Sequence, residues 1–309
     1  MSTSSASPEN RIATQRVAML SVATAAILIV VKAIAWRSSQ SVALLASLSD
    51  SALDMVASLV TLFAIRYAHV PPDAEHRFGH GKAEAFSSLM QGGLVFASGA
   101  LIGREAIVAL LHPRPVEHGL AGVIVMALSI VLTFGLISVQ TRVLKASGSI
   151  AIAGDRAHYA ADLAANAVAL VGVGAAAWLG LSWVDAAAGL AVALWLLWGA
   201  VGVFREASGQ LMDKELPEED RARIVDLATS DPRILGVHQL RTRASGPFVH
   251  MQMHADLDAD ISLAEAHEIM IAAENRVLEA FPAADILIHP DPRGKAEKHG
   301  GLFAQSVEG

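Results

Sequence analysis

Residues Leu120–Leu144 read LAGVIVMALSIVLTFGLISVQTRVL, with no charge before Arg142. A helix over the uncharged part is about 33 Å long at 1.5 Å per residue, enough to cross the roughly 30 Å hydrocarbon core of a bilayer. Similar runs lie on both sides. Val17–Trp36, Val42–Tyr67 and Glu84–Leu111 precede it, and His158–Leu181 and Val184–Phe204 follow. Six transmembrane helices are therefore expected. Ala160–Ala177 is mostly Ala, Val and Gly, so close helix packing is expected there. The composition agrees: 53% of the 309 residues are hydrophobic and 17% charged, where a soluble domain carries about 25% charged residues.

The charges cluster at the N-terminus, in short loops and after about residue 205. This divides the chain into a disordered tail (1–14), a membrane domain (15–212), a soluble domain (213–292) and a second disordered tail (293–309). No signal peptide is expected, because the first apolar run is too long and lacks a cleavage site. Arg11, Arg16, Arg66, Arg77, Lys82, Arg142, Lys145, Arg156, Arg205 and Lys214 fall on one side, against Arg37 and Arg114 on the other. The bias puts both termini and the soluble domain in the cytoplasm. Lys32, near one end of the first span, is expected to snorkel to the headgroups. The chain has no cysteine, which excludes disulfides and thiolate metal sites. A net charge of -7 gives no sign of a nucleic-acid partner.

Two motifs carry chemistry. Span two holds Asp50-Ser51-Ala52-Leu53-Asp54, and span five holds His158-Tyr159-Ala160-Ala161-Asp162. Each ionisable pair is spaced i, i+4, which puts both side chains on one helix face. A charge at mid-bilayer costs roughly 2.5–3.5 kcal/mol on insertion scales. A bound divalent cation offsets that cost, and three carboxylates with one imidazole suit tetrahedral zinc. The bland alternative is interhelical hydrogen bonds or ion pairs, for which too few nearby cations are evident. Such ligands bind metal only when deprotonated, so a site opening alternately to each side exchanges metal for protons, with His158 the best proton carrier. Asn166 and Ser51 lie near these faces as supporting partners. One imidazole favours Zn²⁺ or Cd²⁺, while Fe²⁺, Co²⁺ and Mn²⁺ stay open. In the loop after span two, Asp73, His76 and His80 can converge on a second ion.

Beyond Asp213 the pattern becomes αββαβ: a helix from Pro217 to about Thr229, strands Ile234–Thr242 and Phe248–Asp256, a helix Leu263–Phe281 and a strand Asp285–His289. This is a small α+β, ferredoxin-like domain. Met251 and Met253 alternate with His250, Gln252 and His254, so a Met face should pack on helices and a His face should be open or paired with another subunit. With His238, His267, His289 and Asp291 close in sequence, a cytoplasmic metal site is expected. His267-Glu268 is not a zinc-protease motif, because Ile271 stands where the second histidine belongs.

Five segments carry a family resemblance: Ser49-Asp50-Ser51-x-x-Asp54, His76-Arg77-Phe78-Gly79-His80-Gly81-Lys82-Ala83-Glu84, His158-Tyr159-x-x-Asp162, Leu240-Arg241-Thr242-Arg243-x-Ser245-Gly246 and Ile288-His289-x-Asp291-Pro292. From about residue 15 to 292 the chain resembles the cation diffusion facilitators, in particular bacterial zinc/iron exporters. The resemblance implies a homodimer in the bacterial inner membrane that exchanges cytoplasmic metal for external protons. It implies a transport site at Asp50, Asp54, His158 and Asp162, and a membrane–cytoplasm interface site at Asp73, His76 and His80. It implies a paired-metal site at His238, His254, His267, His289 and Asp291, with Asp291 bridging the metals. A Lys82–Asp213 salt bridge would hold the dimer. Zinc would be both cargo and structural metal. The competing reading is a membrane-bound metal sensor whose intramembrane site is structural. An enzyme is not expected, since no general base or substrate motif accompanies the quartet.

Overall fold

The computed structural model of the protein describes residues 8–40, 42–111, 120–179 and 182–295. Parts of both expected tails, residues 1–7 and 296–309, and also Arg114, lie outside the described residues. The chain divides into two compact units, with the boundary in sequence between Leu211 and Met212.

The first unit holds six helices: α1 (Pro8–Ser39), α2 (Val42–Ala68), α3 (Ala83–Leu111), α4 (Leu120–Ser147), α5 (Ile150–Leu179) and α6 (Ser182–Leu211). Over their described residues α1–α4 and α6 are long and apolar enough to cross a membrane. Two boundaries differ from expectation for identifiable reasons. Helix α1 begins at Pro8, inside the stretch read as a disordered tail. Proline suits a first helical turn, and Asn10 Nδ2 donates to the Ala146 carbonyl at the end of α4 (3.3 Å), tying the early turns down. Helix α5 begins two turns before His158, so the intramembrane motif lies inside it rather than at its start. Charged residues at Asp155 and Arg156 hid this extension.

The most extensive helix pairing is α3 with α6. Small residues permit it: a Cβ on Gly99 would lie 3.2 Å from Leu196 Cβ. Helix α5 packs against α3, α4 and α6, and touches α2 over a shorter length. Gly154 sets the α3–α5 approach. A Cβ there would lie 2.9 Å from Ser88 Cα and 3.2 Å from Gln91 Cβ. The closest atom is backbone, so the helices themselves would have to move apart.

The second unit contains α7 (Glu218–Ala228), β1 (Gly236–Ser245), β2 (Phe248–Leu257), α8 (Leu263–Ala280) and β3 (Ala284–Pro292). The sheet order is β1-β2-β3, with β1/β2 antiparallel and β2/β3 parallel. Glu218, Glu219 and Asp220 occupy the positive first turn of α7. Ser262 caps α8 by accepting from Glu265 N at 3.1 Å. Met251, Met253, Ala255 and Leu257 are buried against Ile224, Ile269, Met270, Ala273 and Val277. The helices thus cover one face of the sheet, and the alternate residues Gln252, His254 and Asp256 lie on the other.

Gly154→Val should lower the detergent-solubilised melting temperature by several degrees, because it forces α3 from α5. Gly93→Ala, with nothing within 4 Å of the added Cβ, should leave it unchanged or slightly raised. Differential scanning fluorimetry of both variants checks this contrast.

Candidate metal centres

Among the described residues, three groups of side chains bring possible ligand atoms within 4.8 Å of one another. The first lies within the helical bundle and comprises Asp54 on α2 with His158 and Asp162 on α5. His158 Nε2 is 3.0 Å from Asp54 Oδ1 and 3.7 Å from Asp162 Oδ2. His158 is buried, and its Nδ1, like Asp162 Oδ2, has no hydrogen-bond partner. Asp50 is not gathered with these three. It sits one turn away on the same α2 face and is exposed. Asn166 supports the group through the backbone, donating Nδ2 to the Asp162 carbonyl at 2.8 Å.

Lys32 departs from expectation. Its side chain does not snorkel: the residue is 5% exposed, and Nζ donates to Ser51 Oγ at 2.6 Å and to the Ser47 carbonyl at 3.1 Å. The reason is local. Ser47 and Ser51 stand one turn apart on α2 and offer the ammonium acceptors that lipid cannot.

Asp155, a buried carboxylate, is likewise not anticipated from the sequence. It is fully buried one turn before His158. Ser21 Oγ of α1 donates to it at 2.7 Å, Gln140 Nε2 of α4 at 2.8 Å and Gln91 Nε2 of α3 at 3.2 Å. Gln91 Nε2 also reaches Thr61 Oγ1 of α2 at 3.0 Å. One carboxylate on α5 therefore ties together α1 to α5. Beside it, Tyr159 OH donates to the Ser21 carbonyl at 3.1 Å and is 2.9 Å from Ser58 Oγ. The signal was available in the spacing: 155, 158, 159 and 162 form one polar stripe on a helix. Glu84, buried at the start of α3, accepts from Ser149 Oγ at 2.6 Å beside the N-terminus of α5. That places a carboxylate at the positive end of the helix dipole.

The second group is the α2–α3 loop. Asp73 Oδ1 accepts from the backbone N–H of His76 (2.6 Å) and of Glu75 (2.9 Å), and Asp73 Oδ2 is 3.3 Å from His80 Nε2. The His76 backbone N–H, more than any other neighbour, holds the exposed Asp73 carboxyl below its ordinary range. The His76 and His80 rings lie 4.6 Å apart, and Gly79, with φ 79°, makes the turn that returns His80.

The third group lies on the open face of the sheet and comprises His238, His254 and Asp291. Strand register builds it: His238 pairs with His254 across β1/β2, and His254 with His289 across β2/β3. One row of three histidines crosses the sheet. The next row brings Asp256 opposite Asp291. Asp291, itself buried, lies 2.8 Å from His254 Nδ1, 3.4 Å from His238 Nε2 and 3.3 Å from His289 Nε2. Asp256, another residue the sequence reading missed, is 3.6 Å from His238 Nε2. The row depends on an irregularity in β1. Three steps from His238 to Arg241 oppose two from His254 to Gln252, and Gln239 has φ 50°. The extra residue turns His238 onto the open face, whereas strict alternation from the buried Thr242 would put it on the Met face. The open face also bears a pocket of about 160 Å³ lined by Gln239, Arg241, Gln252, Leu287 and both His254 and His289.

His267 does not join this group within one subunit. It projects, exposed, from α8, which packs on the opposite face of the sheet. Lys82 and Asp213 belong to different units. Within its own unit Lys82 Nζ donates to the Leu211 carbonyl, and Asp213 Oδ2 accepts from Arg243 Nη1, both at 3.3 Å.

Half-buried carboxylates facing a buried imidazole inside an apolar helical bundle are suited to hold a cation. Comparison with known proteins supplies the family. The cation efflux transmembrane domain matches residues 18–212, and the cation efflux protein cytoplasmic domain matches residues 216–293. The chain belongs to the cation efflux family, the cation diffusion facilitators, and is a multi-pass membrane protein. Relatives include the cation-efflux pump FieF of Shewanella oneidensis, 42% identical over 88% of this chain and 92% of that protein. FieF of Cronobacter sakazakii is 36% identical over 90% and 92%. A solved structure of CzrB in its Zn form is 33% identical and covers 28% of this chain and 99% of its own, at a TM-score of 0.26.

Asp155→Ala would remove the common acceptor of Ser21, Gln91 and Gln140, each of which keeps a second acceptor in the Val17 carbonyl, Thr61 Oγ1 and Ser21 Oγ respectively, so the cost is that of the lost hydrogen bonds, about 1 kcal/mol each. The expected result is a fall in melting temperature well beyond that of Asp155→Asn, which keeps an acceptor oxygen. Thermal denaturation of the two variants measures it.

Proposed function

We propose that the protein exports divalent metal cations by alternating access, exchanging cytoplasmic metal for external protons, with Zn²⁺ the preferred cargo. The observation that carries this reading is the convergence of Asp54, His158 and Asp162 between α2 and α5. Asp50, one turn along α2, completes the transport site when the helices shift. Cd²⁺ and Fe²⁺ are secondary cargoes, since one imidazole among carboxylates suits borderline ions. The same atoms accept either metal or protons, so loading from one side and protonation from the other oppose each other at one place. The name of the FieF relatives as cation-efflux pumps supports the direction of transport.

In this reading Asp73, His76 and His80 bind metal where the bundle meets the cytoplasm. The protein works as a homodimer in the bacterial inner membrane with both termini cytoplasmic. The open face of each sheet meets a second copy, as its exposed Leu287 and its row of histidines favour. His238, His254 and Asp291 fit zinc as a resident structural metal: the donors are nitrogen and carboxylate oxygen. Asp291, with all three histidines of the row around it, is the natural bridging ligand, and His289 extends the set. His267 enters only through a neighbouring subunit or a moved helix.

Transport of Zn²⁺ into proteoliposomes against an imposed proton gradient tests the transport site. Asp54→Ala and Asp162→Ala should each abolish uptake, and Zn²⁺ should outcompete Mn²⁺ at two pH values. Retained uptake in either variant, or a preference for Mn²⁺, overturns the assignment. For the C-terminal domain, zinc should raise the melting temperature of the full-length dimer, and His254→Ala should remove most of that increment without abolishing transport. Equal zinc-dependent shifts in the variant and the unaltered protein would argue against a structural site there.

A further inference from the structure

Lys32 is a buried ammonium beside a site built for cations. Taking an isolated ammonium out of water costs several kcal/mol even after relaxation, and Lys32 has an apparent way to avoid that cost by reaching the headgroups. It is instead 5% exposed, with Nζ on Ser51 Oγ and the Ser47 carbonyl. Ser51 lies between Asp50 and Asp54 on α2. Burial acts most strongly against the ammonium, and Asp54, Asp162 and Asp50, the carboxylates of the transport quartet, act to keep it charged. Lys32 therefore belongs electrostatically to that site although it is no ligand.

We propose that Lys32 is the resident counter-cation of the transport site and sets the charge that the cargo must neutralise. The proposal rests on the transport reading given above. Three carboxylates and one ammonium leave a charge of minus two around a neutral imidazole. A divalent ion brings that to zero, a monovalent ion leaves it negative and a trivalent ion makes it positive. In a low-dielectric bundle the neutral loaded state is the cheapest to carry between the two sides. Without Lys32 the same carboxylates would hold a divalent ion more tightly and keep a net negative charge once loaded. Lys32 thus weakens binding to the degree that release requires, and it is a specificity-determining residue rather than a ligand.

The test is the Zn²⁺ dependence of transport in proteoliposomes by the full-length protein. Lys32→Met should lower the half-saturating Zn²⁺ concentration by about 10-fold or more, equivalent to about 1.4 kcal/mol, and should also lower the maximal rate. Lys32→Arg keeps the charge and should stay within about threefold of the unaltered protein, the allowance for its different hydrogen-bonding fork. Should Lys32→Met fail to give a monodisperse dimer, Lys32→Gln decides, since it keeps an N–H donor for Ser47 and Ser51 and loses only the charge. An unchanged or raised half-saturating concentration in the deciding variant overturns the proposal. A reduced rate alone would mark Lys32 as a clamp between α1 and α2. Asp54→Ala, run in parallel, separates the two failures. If it transports normally, the transport-site reading falls. If it is inactive while Lys32→Gln shows no shift, only the role of Lys32 falls.

Discussion

The contact between His158 Nε2 and Asp54 Oδ1, 3.0 Å across the α2–α5 interface, is the constraint to which the rest of the bundle is fitted. A carboxylate held among apolar helices must be neutralised, hydrogen-bonded or bound to a cation. Each of those states needs α2 and α5 at a definite spacing, yet these two helices share only a short contact. Their separation has to be fixed by other helices. Asp155 does this from within, by drawing donors from α1, α3 and α4 onto α5, while Glu84 holds the other side of the α5 N-terminus. Gly154 lets α3 come close enough for both.

The consequence is a bundle whose polar groups are not scattered. Ser21, Thr61, Gln91, Gln140 and Tyr159 are buried and hydrogen-bonded in a connected set adjoining the ligand cluster. Networks of this kind impose geometry more strictly than apolar packing, because a misplaced partner leaves a buried donor without an acceptor. Apolar contacts then suffice elsewhere, as in the α3–α6 pairing through Gly92 and Gly99.

Much of this was legible in the sequence. Over the described residues, hydropathy picks out five of the six helices, because lipid demands long apolar runs. Two i, i+4 pairs point to Asp54, His158 and Asp162, which converge, and also to Asp50, which stands apart from them. The αββαβ order followed from capping residues, turn signals and the Met/His alternation of β2. The failures share a physical origin. The usual behaviour of lysine in lipid sends Lys32 to the headgroups, whereas Ser47 and Ser51 on another helix decide where it goes. At Asp155 the charge itself looks like the edge of a span. His267 was grouped by proximity in sequence, but α8 turns its side chain away from the sheet's open face. The stripe of 155, 158, 159 and 162 marks Asp155 in the sequence, but the partners of Lys32 and Asp155 are distant along the chain and leave no local trace.

The irregularity in β1 carries a lesson about parity. On a regular strand the face a residue occupies is fixed by whether an even or odd number of steps separates it from a known neighbour. Between Thr242, on the core side, and His238 the count is even, so simple counting sends the imidazole into the hydrophobic interior. One surplus residue, at the cost of a left-handed conformation at Gln239, reverses the parity for everything before it in β1 while leaving the Arg241–Ser245 end of the hairpin in register. The strand thus faces two ways along its length: one end is committed to the core, and the other surrenders a side chain to the row shared with His254 and His289.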